Sequence, residues 1–288
     1  MNAYLVSNNG LGDNLFMIGA LHFIKPFYKN VYFLCKQKYW ENVKLFFEED
    51  SNIICVPFDS DGPIDFGSNR VNRNKYINEF NSISHIINPK YTDKNTDVFI
   101  CGPCHKRYLH SKINNELYLE HKKDTNKYTI DFDTITTSNY SFIENFYNDI
   151  GLNLTHFFEN FNINSTDESV RLFQSVKQYY LVFIQYKSSD GKTLNISNLI
   201  EKYINDPNVL LICNDMNLYN KSHQLYDIAQ PFVYNKIVNY MDVIKNSDEI
   251  YLIDSCFIGI VLPLLKTNRL KTKIIRIILR NETHNYIL

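Results

Sequence analysis

Residues 7–14 read Ser7-Asn8-Asn9-Gly10-Leu11-Gly12-Asp13-Asn14 and lie between two apolar runs. The preceding run, Ala3-Tyr4-Leu5-Val6, predicts a buried strand, and the following run, Leu15 to Ile24, predicts a helix that is apolar on nearly all sides. Two glycines allow a tight turn and bring backbone amides close to a ligand, and the helix start behind them adds unpaired N–H groups. The chain therefore opens with a strand, a glycine loop and a helix.

Asp13 stands at the carboxyl end of this first strand, where open α/β sheets bind their ligands. Two interpretations remain open for its carboxylate: a helix N-cap, or a general base held at a ligand site. The loop is not a dinucleotide fingerprint, because Leu15 occupies the place of the third glycine. A nicotinamide enzyme is therefore not indicated.

Apolar runs alternate with helical patterns along the whole chain, which predicts parallel strands joined by crossover helices. This alternation is absent from residues 151–169 and resumes after them. We therefore expect an α/β protein of two Rossmann-like, doubly wound domains, 1–162 and 163–288, facing a central cleft. Strands are predicted near 31–35, 52–58, 97–100, 180–184, 209–213, 232–234, 249–253 and 273–279.

The composition excludes several classes of protein. The net charge of −1 over 288 residues provides no overall field that would attract nucleic acid. No apolar run reaches membrane-spanning length, and the first residues lack the pattern of a signal peptide. We therefore expect a cytoplasmic protein whose six cysteines are reduced thiols.

The segment Cys101-Gly102-Pro103-Cys104-His105 resembles a dithiol redox motif and a haem attachment motif. Haem attachment requires export, and a thioredoxin-like site requires a facing proline some tens of residues later, which this chain lacks. Zinc would need a second ligand pair of recognised spacing, which is also missing. We interpret the segment as a tight turn at a strand end, and we expect no metal site and no cofactor.

Two further loops follow strands of the second half. The first, Gln185 to Lys192, carries Ser188, Ser189 and Lys192, which suit a phosphate group because hydroxyls donate and lysine neutralises. The second, Asp254-Ser255-Cys256, opens a helix, where Ser255 either caps the helix or bonds a phosphate, and Asp254 accepts sugar hydroxyls. For both loops a plain polar turn is the alternative.

The segment from Lys266 to Arg280 contains six basic residues and no acidic one. A run of this kind is typical of a solvated strand edge that discourages aggregation. The second interpretation is peripheral contact with an anionic membrane surface.

The three loops together resemble the GT-B glycosyltransferases of the heptosyltransferase type. In that family a Gly-x-Gly-Asp turn opens the acceptor domain, so the resemblance implies that Asp13 is the catalytic base and that Gly10, Leu11, Gly12 and Asn14 form the acceptor loop. It also implies that the donor diphosphate is bound by Ser188, Ser189 and Lys192, and that the donor contacts Asp254, Ser255 and Cys256. A weaker likeness links the first turn to the Gly-Leu-Gly-Asn turn of fucosyltransferases.

This sequence departs from the heptosyltransferase pattern at several places. Cys256 replaces a glycine, Gly259 replaces a histidine, and Thr193-Leu194 stand where the family has Trp-Pro. The resemblance implies an inverting, metal-independent transfer of sugar from a nucleotide-sugar donor to a glycan or glycolipid acceptor. The departures motivate an alternative, a non-catalytic nucleotide or glycan binder, and a dithiol protein using Cys101 and Cys104 is a third hypothesis.

Overall fold

The computed structural model describes residues 1–7, 10–59, 77–90, 93–102, 141–189, 191–278 and 285–287. The chain divides into two compact units, Met1–Asn162 and Ile163–Leu288, which we call unit 1 and unit 2. Each unit contains its own sheet of mainly parallel strands with helices between them. The predicted α/β fold class is therefore confirmed. No helix of the described residues is both long enough and apolar enough to cross a membrane.

The described residues of unit 1 form four parallel strands in the order β3-β2-β1-β4. Apolar residues of these strands pack against one helix, α4, through Ile83 and Ile87. At the carboxyl end of β2, Lys36 Nζ meets Glu79 Oε2 of α4 at 2.8 Å, and both side chains are buried. The strands are β1 Asn2–Val6, β2 Asn30–Lys36, β3 Ile53–Phe58 and β4 Thr96–Ile100. The helices are α1 Leu11–Phe16, α2 Ile18–Ile24, α3 Gln37–Val43, α4 Ile77–Ile87, α5 Ser141–Asn148 and α6 Thr155–Glu159.

The single helix predicted after the glycine loop is in fact two helices, α1 and α2, with a break at Met17. The buried Tyr147 of α5 explains the break. Its hydroxyl accepts from Ala20 N at 3.2 Å and donates to Phe16 O at 2.8 Å. In a continuous helix these two backbone groups would bond each other, and a side chain inserted into that bond bends a helix.

In unit 2, the part of the chain that the structure describes forms five strands in the order β6-β5-β7-β8-β9. The first four are parallel, and β9 runs antiparallel to β8. The strands are β5 Tyr180–Gln185, β6 Val209–Cys213, β7 Glu249–Ile253, β8 Ile274–Ile278 and β9 Asn285–Ile287. The helices are α7 Asp167–Val176, α8 Ser197–Tyr203, α9 Tyr226–Ala229, α10 Met241–Asn246 and α11 Ile258–Lys266.

The strand predicted at 232–234 is wrong. Phe232 is the last residue of a short 3₁₀ helix, Gln230–Phe232, and Tyr234 has a left-handed backbone with φ of 55°. The buried Tyr240 hydroxyl bonds Phe232 O instead, which holds the chain in a loop.

Candidate functional site

Each sheet has one point at which the strand order reverses. In unit 1 the chain passes from β1 to β2 and β3 on one side, and β4 returns to the other side of β1. In unit 2 it passes from β5 to β6, and β7 returns to the other side of β5. Open α/β sheets bind ligands in the crevice at the carboxyl ends of the strands that flank such a switch point. The loops predicted from the sequence follow β1, β5 and β7, so they lie at these two points.

The loop after β1 carries Asp13 as the third residue of α1. The N-cap residue of α1 is Gly10, so the interpretation of Asp13 as the N-cap residue is wrong. The Asp13 side chain still stabilises the start of the helix, because its Oδ2 accepts a hydrogen bond from the N-cap amide, Gly10 N, at 2.8 Å. This bond orients the half-buried carboxylate at the carboxyl edge of the sheet. Asn8 and Asn9 lie outside the described residues.

Asn14 also stabilises the loop after β1. Its side chain is 1% exposed, and its Nδ2 donates to Gly10 O at 2.8 Å. Its Oδ1 is buried and has no hydrogen-bond partner within the described parts of the chain. Asn14 is therefore placed as a residue that fixes the loop. Leu11 and Gly12 belong to the first turn of α1.

The segment that begins with Cys101 lies beside this loop, because Cys101 N donates to Val6 O at 2.8 Å. Gly102 has φ of 85°, and its N–H donates to Asp149 Oδ2 at 2.9 Å. Gly102 therefore forms a bend after β4 that is held against residue 149, and the rest of the predicted turn lies outside the described residues. The Cys101 thiol is fully buried, which counts against the dithiol hypothesis because exchange requires an accessible thiolate. Cys104 and His105 lie outside the described residues.

The β5 loop, residues 186–193, is a closed turn. Ser188 N donates to Lys192 O at 2.9 Å, Gly191 N donates to Ser188 O at 3.0 Å, and Gly191 takes φ of 87°. The Ser188 hydroxyl is buried and donates to Lys192 O at 3.2 Å, so it serves the shape of the turn. Ser189 and Lys192 are exposed, whereas Asp190 lies outside the described residues.

Asp215, which the sequence reasoning missed, holds the start of the β5 loop. Its Oδ2 accepts from Tyr186 N at 3.0 Å and from Lys187 N at 2.8 Å. Burial raises the pKa of the Asp215 carboxyl above its ordinary value, although both amide bonds oppose the shift. The signal was available, because Asp215 follows β6 just as Asp13 and Asp254 follow their strands.

The β7 turn, residues 254–257, stands on the other side of the switch point. Cys256 Sγ accepts from Gln185 Nε2 at 3.4 Å, which links this turn to the end of β5. Gln185 is 2% exposed, and its Oε1 has no partner in the described parts of the chain. Burial raises the pKa of the Cys256 thiol to about 11, so the thiol is protonated at neutral pH. Ser255 does not cap α11, because the N-cap residue is Phe257 and no side chain caps it.

The basic segment does not form a strand edge, because β8 is paired on both sides. Lys273 Nζ lies 3.3 Å from Asp248 Oδ1, and the Arg276 guanidinium lies over the Tyr251 ring. Lys266 and Lys271 are exposed, and Arg280 lies outside the described residues. Among the described residues, no group of three or more His, Cys, Asp or Glu side chains could hold a metal ion.

The architecture of two Rossmann-like units is shared with a solved glycosyltransferase. The chain is similar to a glycosyl transferase family 9 protein from Veillonella parvula, with a TM-score of 0.51 and 12% identity over 91% of this chain and 77% of that chain. It also matches the E. coli heptosyltransferase WaaC with ADP, with a TM-score of 0.47 and 11% identity over 92% of this chain and 84% of that chain. No family model and no curated protein matches the chain.

The first comparison establishes the fold. The first match, at 12% identity, shows a shared fold and not a shared activity, and the second has a TM-score too low to carry an argument. The predicted likeness to GT-B glycosyltransferases is confirmed at the level of the fold. The roles of the individual residues remain predictions.

Proposed function

We propose that this chain is a glycosyltransferase that moves a sugar from a nucleotide-diphosphate donor to a hydroxyl group of a glycan or glycolipid. One observation carries the proposal: the loops predicted to bind the acceptor and the donor lie at the switch points of the two sheets. The fold shared with a glycosyl transferase family 9 protein supports the same assignment. Basic residues of the segment 266–280 are proposed to approach an anionic membrane when the acceptor is a glycolipid.

The donor is assigned to unit 2. The exposed Lys192 ammonium and the Ser189 hydroxyl neutralise and bond the diphosphate as its negative charge grows in the transition state. On the other side of the switch point, Asp254 and Ser255 contact the donor. Because lysine and loop dipoles supply the positive charge, the proposed reaction needs no metal ion.

The acceptor is assigned to unit 1. Asp13 takes the proton of the acceptor hydroxyl while the hydroxyl oxygen attacks the anomeric carbon. The bond from the anomeric carbon to the diphosphate oxygen breaks on the opposite face, so the configuration inverts. Gly10 N holds the carboxylate in one orientation through its 2.8 Å bond, which reduces the freedom lost in the transition state.

A non-catalytic nucleotide binder on the same fold is the second candidate. The observation that favours it is the Ser188 hydroxyl, which bonds Lys192 O inside the loop instead of facing solvent. Cys256 and Gly259 also replace residues of the heptosyltransferase pattern. A non-catalytic binder would be stabilised by a bound nucleotide but would release no nucleoside diphosphate from a nucleotide sugar.

The experiment screens nucleotide sugars for release of nucleoside diphosphate and measures diphosphate binding by calorimetry. Lys192→Ala is expected to weaken nucleoside diphosphates about ten- to a hundredfold, because charge-assisted bonds contribute about 1.5–3 kcal/mol. Its control is Lys177→Ala, which removes an exposed lysine from the opposite, amino edge of the same sheet. Equal binding by Lys192→Ala and wild type would refute the donor assignment, and binding without turnover of any sugar donor would favour the second candidate.

A further inference from the structure

Tyr234 holds an aromatic ring on the surface of unit 2 in an unusual backbone conformation. The residue is 80% exposed, and its φ of 55° lies in the left-handed region. That region is unfavourable for a bulky residue with a Cβ atom, so the surrounding structure must hold Tyr234 there. Strained residues of this kind concentrate at ligand sites.

Hydrogen bonds on both sides fix the backbone of Tyr234. Its own N–H donates to Asn214 O at 2.8 Å. The hydroxyl of the buried Tyr240 donates to Phe232 O and accepts from Asn235 N at 3.1 Å, so one side chain closes the loop around Tyr234. The ring is therefore exposed on a rigid support, which lowers the entropy lost when a ligand binds.

The position of Tyr234 relates it to the β5 loop. Asn214 continues β6, because its N–H donates to Ile184 O at 3.3 Å, and its carbonyl holds Tyr234. The next residue, Asp215, holds the first amide of the β5 loop, Tyr186 N. Tyr234 thus lies at the carboxyl edge of the sheet and is bonded to the end of β6, the strand next to β5.

We propose that Tyr234 is a stacking platform for the base of the nucleotide donor, and this inference rests on the proposed function. Aromatic faces stack on nucleobases without selecting one base, because every base has a π-face. The phosphates bind at the β5 loop and the base at Tyr234.

The test is calorimetric titration of the full chain with ADP, UDP, GDP, CDP and inorganic pyrophosphate. Tyr234→Ala is expected to weaken the nucleoside diphosphates about 5- to 150-fold, the range of base–aromatic stacking by alanine substitution, and to leave pyrophosphate unchanged. Tyr234→Phe keeps the ring and is expected to bind within about twofold of wild type. Tyr234→Asn tolerates the left-handed backbone without a ring, so it should match Tyr234→Ala if the loop keeps its shape.

Phe27→Ala is the matched control, because it removes an aromatic residue of unit 1 that is 68% exposed, and it should change no affinity. Wild-type affinity for nucleotides in Tyr234→Ala and Tyr234→Asn would overturn the platform and leave the donor site standing. Equal losses for pyrophosphate and nucleotides would overturn it as well, because the residue would then act through the shape of the loop. A wild-type chain that binds no nucleotide would overturn both this inference and the proposed function.

Discussion

Asp13→Asn separates a helix cap from a catalytic base. The amide keeps an oxygen that can accept from Gly10 N, so the 2.8 Å bond is expected to survive. The negative charge near the start of α1 is lost, which costs about 0.3–1 kcal/mol and lowers the melting temperature by about 1–4 °C. An amide cannot take a proton, so turnover should fall about 10²–10⁴-fold. Donor affinity should stay unchanged, because the donor is assigned to unit 2.

Asp13→Ala is the matched variant, because it removes both the base and the oxygen that bonds Gly10 N. It should destabilise the chain by about 0.5–2 kcal/mol, more than Asp13→Asn. If Asp13 is the base, both variants are equally inactive in nucleotide release despite their different melting temperatures. If Asp13 is only a cap, activity follows stability, and Asp13→Asn remains near wild type. The second pattern would refute the catalytic assignment.

Two further predictions concern the stability of the units. Glu249→Gln should lower the free energy of unfolding at pH 7 by about 1–3 kcal/mol, because the buried carboxylate accepts from the hydroxyls of Tyr180, Tyr203 and Tyr251 at 2.6–3.0 Å. Burial alone would raise the pKa of Glu249, but these bonds outweigh it and hold the pKa below its ordinary value. The stability difference, measured by urea unfolding, should therefore be complete above the ordinary glutamate pKa of about 4 and be lost as pH falls through the lower pKa of the folded state. Gly19→Ala should lower the free energy of unfolding by about 3 kcal/mol, because a Cβ atom at this position would lie 2.2 Å from His156 O. Urea unfolding followed by the fluorescence of the single tryptophan, Trp40, should show a lower midpoint, and an unchanged midpoint would refute this prediction.

The strands could be predicted from the sequence because their signal is local. Eight of the runs chosen from the sequence lie within one or two residues of observed strands, since four or five consecutive apolar residues suit a strand covered on both faces. The break between α1 and α2 could not be predicted in this way. It depends on Tyr147, which is 127 residues from Ala20, and no periodicity within α2 records that contact.

The positions of the candidate site residues in the fold could be predicted from the sequence, but the hydrogen bonds among them could not. Asp13, Lys192 and Asp254 were chosen because each follows a strand, and the topology places each at the carboxyl edge of its sheet. The bond of the Ser188 hydroxyl to Lys192 O depends on the turn that the left-handed Gly191 closes. Such a bond requires the folded loop, and the residue type alone did not reveal it.

The two edges of the sheet in unit 2 carry different chemistry. At the carboxyl edge, Ser189, Lys192 and Tyr234 are exposed. At the amino edge, the Glu249 carboxylate is 1% exposed and three tyrosine hydroxyls satisfy it. Exposed groups contribute little to stability and can exchange water for a ligand, whereas a buried charge costs stability once its partners are lost. Substitutions at the carboxyl edge should therefore change nucleotide affinity with little effect on unfolding, and substitutions around Glu249 should do the reverse.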